Sequence, residues 1–199
     1  MTTAKDLFMI AIDLGPNPSV RQGDLSLALA GAELIDLIEA EAVTLDDNLI
    51  ASNSQHPLDD HFLREASSAL TGQAEHVEDW LWRRGRDLSA AYQGALEEIG
   101  QLKQARHSRF SLRAARLELV DTPDRRGATS RWNSDEPVLV ALAAAAGIDR
   151  SRSVDGSILE NEAVTTVLDA VHNAVMELEA ERQKRTIENE AFDNVWRLP

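Results

Sequence analysis

The fold is decided by residues 24–40, DLSLALAGAELIDLIEA, a stretch that is rich in leucine and alanine and contains no proline. Apolar residues recur along it at helical spacing, as Leu27, Leu34 and Ile38 illustrate. Asp24 is a favourable N-cap residue, because its side-chain oxygen can accept a hydrogen bond from a free amide of the first turn. The stretch therefore predicts a helix from Asp24 to about Ala40.

Two β-hairpins are predicted around and beyond this helix. Residues 43–45 and 49–50 are rich in β-formers and flank the turn-forming run Asp-Asp-Asn at 46–48. Residues 101–121 alternate apolar side chains with arginines at a period of about two, which is typical of a strand with one basic face. We therefore expect a short hairpin directly after the helix and a longer, basic hairpin in the middle of the chain.

The remainder of the chain predicts further helices and one loop. Apolar periodicity, caps and stop signals place helices at 4–13, from Asp59 or Asp60 onward, at 88–99, at 137–146 and at 159–187. Residues 121–135 contain Pro, Gly, Ser, Thr and charges without periodicity, so they predict a loop. We find no internal repeat and no long linker. The predicted fold is mainly α: a single all-helical domain with two β-hairpins over residues 1–199.

Charge is distributed unevenly along the 199 residues, whose net charge is −14. Residues 1–79 carry a net charge of −12, residues 80–131 carry +5, and residues 132–199 carry −7. A local excess of positive charge can attract an anionic partner even on an acidic protein. The hydrophobic content of 43% excludes a wholly disordered chain, and no apolar run is long enough to span a bilayer.

Candidate catalytic and metal-binding residues are few. The absence of cysteine excludes disulfides, thiolate zinc sites and a cysteine nucleophile, and it fits a cytoplasmic protein. His56, Asp59, Asp60 and His61 form the densest group of metal-ligand types, but their spacing does not place them on one helical face, so we expect a helix cap. Carboxylate pairs such as Glu33 with Asp36 are expected on solvated helix faces. No motif of a known catalytic site is present, so we predict a protein that is not an enzyme and needs no cofactor.

Two segments, residues 80–86 and 106–110, combine aromatic and cationic side chains. Phosphate-binding and membrane-binding surfaces have the same combination. Guanidinium groups donate paired hydrogen bonds to phosphate oxygens, and apolar side chains can enter a lipid interface. In the alternative interpretation, the tryptophans lie in the core and the arginines bind the many acidic residues. Nucleic acid is a poor partner, because the rest of the chain would repel a long polyanion. The candidate head-group residues are Arg83, Arg84, Arg86, Arg106 and Arg109, and the candidate hairpin contacts are Phe110, Leu112 and Arg113.

The order of motifs resembles the Golgi phosphoprotein 3 family, particularly its shorter bacterial members. The resemblance covers nearly the whole chain and depends on the order and spacing of the motifs. They are LAGAELIDL at 29–37 before the hairpin at 43–50, PLDD at 57–60, a tryptophan segment at Trp80, LEEIGQL at 96–102 before the second hairpin, and VLVAL at 138–142.

The resemblance implies a mostly α-helical peripheral membrane protein that binds phosphatidylinositol 4-phosphate through a basic pocket beside a protruding apolar hairpin. In eukaryotic members that hairpin also supports contacts between copies. Of the family's pocket arginines, only Arg86 is matched here, because Ala30 and Ser89 stand where the family has arginine. The pocket tryptophan is replaced by residues such as Leu25 and Leu27.

Three functional hypotheses follow. The leading one is a non-catalytic protein that contacts an anionic membrane surface or phosphoinositide head group through its arginines and the 103–116 hairpin. The alternative is a protein-interaction module whose basic hairpin pairs with a partner or a second copy, forming a homo-oligomer. A winged-helix regulator is a third, weaker hypothesis, because the hairpin that would form the wing is acidic.

Overall fold

The computed structural model of the protein describes residues 2–14, 21–53, 58–104, 117–149, 151–152 and 161–196, with side chains as far as Asn189. Within these ranges the chain forms eight helices and two small antiparallel sheets, which confirms the mainly α fold with two hairpins. In chain order the elements are α1 (Thr3–Asp13), α2 (Gln22–Glu39), β1 (Val43–Asp46), β2 (Leu49–Ser52), α3 (His61–Ser68), β3 (Glu75–His76), α4 (Val77–Arg84), α5 (Leu88–Glu98), β4 (Leu102–Gln104), β5 (Leu117–Leu119), α6 (Pro123–Asn133), α7 (Pro137–Ala145) and α8 (Glu162–Trp196).

Helix α2 lies at the centre of the molecule. All fourteen residues from Asp24 to Leu37 are buried, because α1, α4, α5 and α8 pack around the helix together with α3, α7 and β1. A helix that is covered on every side needs apolar residues on every side, which its leucines and alanines supply. At Gly31 the neighbouring helix α8 is so close that an added Cβ would lie 2.2 Å from Val171 Cγ2.

The start of α2 corrects the predicted N-cap. The helix begins at Gln22 after the cap residue Arg21, so Asp24 lies inside the first turn. Its side chain is buried and accepts a hydrogen bond from Arg182 of α8. A negative charge is favourable in the first turn of a helix, and Arg182 compensates its burial. The prediction missed this because the partner is 158 residues away in the chain.

The two sheets are small and antiparallel. In the first, β1 pairs with β2 from Val43 opposite Ser52 to Asp46 opposite Leu49, as the hairpin prediction requires. A third strand, β3, adds to β2 and was not predicted, because two residues are too few to show a period-two pattern. In the second sheet β4 pairs with β5, with Leu102 opposite Leu119.

Helix α6 corrects the prediction that residues 121–135 form a loop. The Oγ of Thr122 accepts a hydrogen bond from the Arg125 amide, and Pro123 occupies the first turn, where its missing N–H costs nothing. Only Ala128 and Trp132 are buried along the helix. Two apolar residues are too few to produce a recognisable hydrophobic stripe, so the periodicity criterion failed here.

Both of the last two predicted helices are present, and the bounds of α7 agree more closely with the prediction than those of α8. Glu136 caps α7 by accepting hydrogen bonds from the amides of Val138 and Leu139, and Gly147 ends the segment with a φ of 75°, which glycine adopts without strain. Helix α8 begins three residues later and ends nine residues later than predicted. Within the described ranges, no helix is both long and apolar enough to cross a membrane. That residues 1–199 form a single domain stays a prediction.

Candidate functional site

The first predicted site residue, Arg83, is held by a carboxylate. Its Nε and Nη2 each donate a hydrogen bond of 2.7 Å to the two carboxylate oxygens of Glu75 on β3. The guanidinium carbon also lies 5.3 Å from the ring centroid of Trp80. The Arg83 side chain is 41% exposed, so water reaches the group although the edge formed by Nε and Nη2 is engaged by Glu75.

The second predicted site residue, Arg84, is held more deeply. Its Nε and Nη2 donate to the two oxygens of Glu33 on α2 at 2.7 and 2.9 Å, and the Tyr92 hydroxyl donates to the same carboxylate at 3.1 Å. Glu33 is 1% exposed. Burial raises the pKa of Glu33, whereas the hydrogen bond and charge of Arg84 oppose that rise. The three groups form a largely buried polar cluster, and Arg84 Nη1 also lies 3.8 Å from a carboxylate oxygen of the half-exposed Glu65.

The two tryptophans of α4 have different environments. Trp80 is fully buried, and its Nε1 donates a hydrogen bond of 3.0 Å to the Ala30 carbonyl of α2. Trp82 is 39% exposed and borders a shallow groove against Lys184 and Arg185 of α8. For Trp80, Arg83 and Arg84, the structure therefore shows the arrangement described by the alternative interpretation: tryptophan in the core and arginines on acidic partners.

Comparison with protein-family models gives a match over most of the chain. The model described as Golgi phosphoprotein 3 (GPP34) matches residues 4–189. The chain belongs to the Golgi phosphoprotein 3 family. The match extends from α1 into the last part of α8 and includes both hairpins. The comparisons with curated proteins and with solved structures found no match.

The positions at which the Golgi phosphoprotein 3 resemblance implies pocket arginines are closely packed here. Ala30 is fully buried. Ser89 is also buried, and its hydroxyl is within hydrogen-bond distance of Ser26 Oγ at 2.9 Å and of the Gln22 carbonyl at 3.3 Å. Small residues thus let α5 pack directly on the start of α2. Arg86 is exposed, and it forms no ion pair with any residue in the described ranges.

The remaining predicted site residues lie outside the described residues. Arg106, Arg109, Phe110, Leu112 and Arg113 belong to residues 105–116, which join β4 to β5 along the chain. The paired strands do fix both attachment points of this stretch, because Gln104 lies opposite Leu117. From Lys103 to Arg116 the sequence contains five cations and no acidic residue. We call residues 103–116 the cationic segment.

Among the candidate metal ligands, Asp60 has a structural role. The Asp60 carboxylate accepts hydrogen bonds from the amides of Phe62 and Leu63 and caps α3, as the sequence predicted. His56 lies outside the described residues. No group of three or more potential ligands that could hold a metal ion occurs within the described part of the chain.

Buried carboxylates are the main feature that sequence reasoning missed. Glu33 and Asp36 were expected on a solvated helix face, but both are buried. Asp36 accepts hydrogen bonds from the amides of Thr3 and Ala4 at 2.7 and 3.0 Å, so it caps α1 from another helix. Burial raises the pKa of Asp36 to about 7, against the effect of these bonds. In the sequence, the apolar residues on both sides of each acid were the signal that could have indicated its burial.

Replacing Asp36 tests this burial through pH. In the folded protein this carboxyl titrates near 7, against an ordinary value of 3.8, so the folded state binds more protons between these values. The stability that the group contributes is therefore present at low pH and is lost as pH rises through 7. We expect the destabilisation caused by Asp36→Asn to shrink by about 2 kcal/mol between pH 5 and pH 8. Urea unfolding across this range measures it.

The control for this experiment is Asp46→Asn, which removes an exposed carboxylate from β1. Its unfolding free energy should run nearly parallel to that of the wild type across the same pH range. If the curve for Asp36→Asn is equally parallel, Asp36 does not bind a proton on folding and the assignment is wrong.

Proposed function

We propose that this Golgi phosphoprotein 3 family member is a non-catalytic peripheral membrane protein that binds anionic lipid through the cationic segment. The observation that carries the proposal is the charge of that segment: five cations and no acid over fourteen residues of a chain whose net charge is −14. Phe110 and Leu112 lie among these cations, and apolar side chains of this kind can enter a lipid interface. Arg86 adds an exposed cation on the family's pocket position.

The geometry favours recognition of surface charge over recognition of one head group. A pocket for a phosphate monoester needs several guanidinium groups that converge on one point. Arg83 and Arg84 instead bind Glu75 and Glu33, and Ala30 and Ser89 supply no charge. A cation near an anionic membrane contributes about 1 kcal/mol without a shaped pocket. Phosphatidylinositol 4-phosphate is therefore one ligand among other anionic lipids in this proposal.

Vesicle sedimentation tests the proposal. We expect the protein to pellet with vesicles containing phosphatidylserine or phosphatidylinositol 4-phosphate at matched surface charge, and not with neutral phosphatidylcholine vesicles. Arg109→Ser and Arg113→Ser should each weaken binding about fivefold, because each removes about 1 kcal/mol of attraction. The matched control is Arg64→Ser, which removes the same charge from the exposed surface of α3.

Two results would contradict the proposal in different ways. Equal recovery with neutral and anionic vesicles would show that anionic charge does not drive membrane binding. A preference of more than tenfold for phosphatidylinositol 4-phosphate at matched charge would instead show head-group recognition, and the charge-based mechanism would be wrong.

A second candidate function is a protein-interaction module. It is favoured by the sheet of β4 and β5, which has only two strands in the part of the chain that the structure describes. An outer edge of such a sheet can offer backbone groups to another strand, although on β5 the Leu119 carbonyl already accepts a hydrogen bond from Arg125. Sedimentation velocity would detect a homo-oligomer formed in this way. A dimer that is abolished by deletion of residues 108–116 supports this function, and a monomer at all concentrations contradicts it.

A further inference from the structure

Helix α6 is attached to α1 mainly by ionic contacts. The Lys5 ammonium lies 2.6 Å from Asp124 Oδ2. Arg125 donates two hydrogen bonds to the carboxylate of Asp13, at 2.9 and 2.8 Å. Further along the helix, Arg131 Nη1 donates to Asp6 Oδ2 at 2.6 Å. Three pairs, two in the first turn of α6 and one in its last turn, therefore connect these two elements.

Apolar packing contributes little to this attachment. Before Trp132, Ala128 is the one buried residue in the described helix. A recess of about 400 Å³ opens beside Gly127 and Ser130, and another of about 330 Å³ opens beside Leu119 and Arg125. In contrast, α7 buries five apolar side chains. Elements with few buried apolar contacts open locally at a lower free energy than the core does.

The connections of α6 define a unit that would move together. Arg125 Nη1 donates to the Leu119 carbonyl of β5 at 3.0 Å while the same guanidinium binds Asp13, so α6 and β5 share one anchor on α1. At the other end Trp132 is buried, and Arg152 lies 4.4 Å from its ring and donates to its carbonyl. Trp132 is therefore held in place, and the residues before it can separate from α1 while it stays buried.

We propose that residues 117–131, which we call the strap, detach from α1 as one unit while the core around α2 stays folded. Detachment breaks the three ion pairs and exposes Lys5 and Asp6 together with two buried apolar residues of the strap, Leu119 and Ala128. The charged groups become hydrated as they separate, so the loss of each pair is partly compensated. An isolated helix of this length is marginal in water, so the free strap frays.

Hydrogen exchange measured by mass spectrometry on the full chain tests the strap. We expect amides of α6 to exchange at least about a hundredfold faster than amides of α2. Asp13→Asn, which removes a two-bond ion pair to the strap, should accelerate α6 exchange about tenfold. The matched control Asp121→Asn removes the exposed carboxylate of the Arg126 pair, which lies within the strap, and should leave α6 exchange unchanged.

A core variant distinguishes local opening from unfolding of the whole chain. Ile35→Val weakens the fully buried centre of α2 and should accelerate α2 exchange about fivefold. It should leave α6 exchange unchanged, because opening of the strap does not disturb that site. Equal exchange rates for α6 and α2 in the wild type, or acceleration of both by Ile35→Val, would overturn the proposal. The experiment contains no lipid, so its outcome is independent of the membrane-binding proposal.

Discussion

Arg84→Met is expected to lower the free energy of unfolding by about 3–5 kcal/mol, because it leaves the buried Glu33 carboxylate without its cation. Glu33 is 1% exposed, and the Tyr92 hydroxyl would be its one remaining side-chain donor in the described structure. For a chain of this size the loss corresponds to a decrease of roughly 10 °C in the melting temperature. Denaturant unfolding monitored by circular dichroism gives the free energy directly.

The neighbouring residue provides the control. Arg83→Met removes a cation with an equally good two-bond contact, but the Arg83 side chain is 41% exposed, so the expected cost is about 1 kcal/mol or less. The double variant Glu33→Gln with Arg84→Met should be more stable than Arg84→Met alone, since no charge is then left buried. If Arg83→Met and Arg84→Met lower the free energy of unfolding equally, the burial of Glu33 does not determine the cost and the prediction is wrong.

Gly31→Ala is expected to cost about 3 kcal/mol, at the upper end of the range for overpacked cores. The added Cβ would lie 2.2 Å from Val171 Cγ2, and Val171 is a fully buried, β-branched residue that cannot swing aside. Helices α2 and α8 must therefore separate locally. A decrease in the denaturation midpoint at an unchanged m-value would measure this loss of stability.

Gly94→Ala is a control of opposite sign. Gly94 lies in α5 with no atom within 4 Å of an added Cβ, so alanine should stabilise the helix by about 0.5–1 kcal/mol. A second variant, Gly31→Ala with Val171→Ala, removes the clashing methyl groups and should recover part of the stability lost in Gly31→Ala. Similar destabilisation by Gly31→Ala and Gly94→Ala would mean that close approach of α8 does not constrain Gly31.

Features that depend on short stretches of sequence were predicted well. Asp60 caps α3 and Gly147 ends the α7 segment, because each signal acts on residues a few positions away. The hairpin of β1 and β2 follows from two β-forming runs around an Asp-Asp-Asn turn, in which Asp47 has a φ of 52°. Such local interactions are visible in a single sequence without knowledge of the tertiary structure.

Features that depend on distant partners were missed. Glu33 is buried because Arg84, 51 residues away, neutralises it, and Asp6 is buried beside Arg131, 125 residues away. Nothing in the surrounding sequence of an acidic residue identifies a partner at that distance. Helix α6 was missed for a related reason: it is held by charges, and charged residues without apolar periodicity are typical of loops.

The sequence predicted which residues could form the candidate site, but it did not predict which partners their side chains contact. The sequence identified the arginines of the 80–86 segment, and the structure adds that Arg83 and Arg84 already have carboxylate partners. Pairing of this kind is decided by packing of α2, α4 and β3, which single-residue patterns do not encode. For Arg106 and Arg109 the membrane contact stays a prediction, because both lie outside the described residues.

The central position of α2 affects how the protein is made in the cell. Two of the helices that cover α2 are synthesised at different times. Helix α1 is synthesised before α2, and α8 is synthesised more than a hundred residues after it. At 5–20 residues per second, the interval between α2 and Val171 is on the order of ten seconds. Throughout that time a leucine-rich helix emerges without its final neighbour. We therefore expect the nascent chain to bind chaperones that recognise apolar segments during translation.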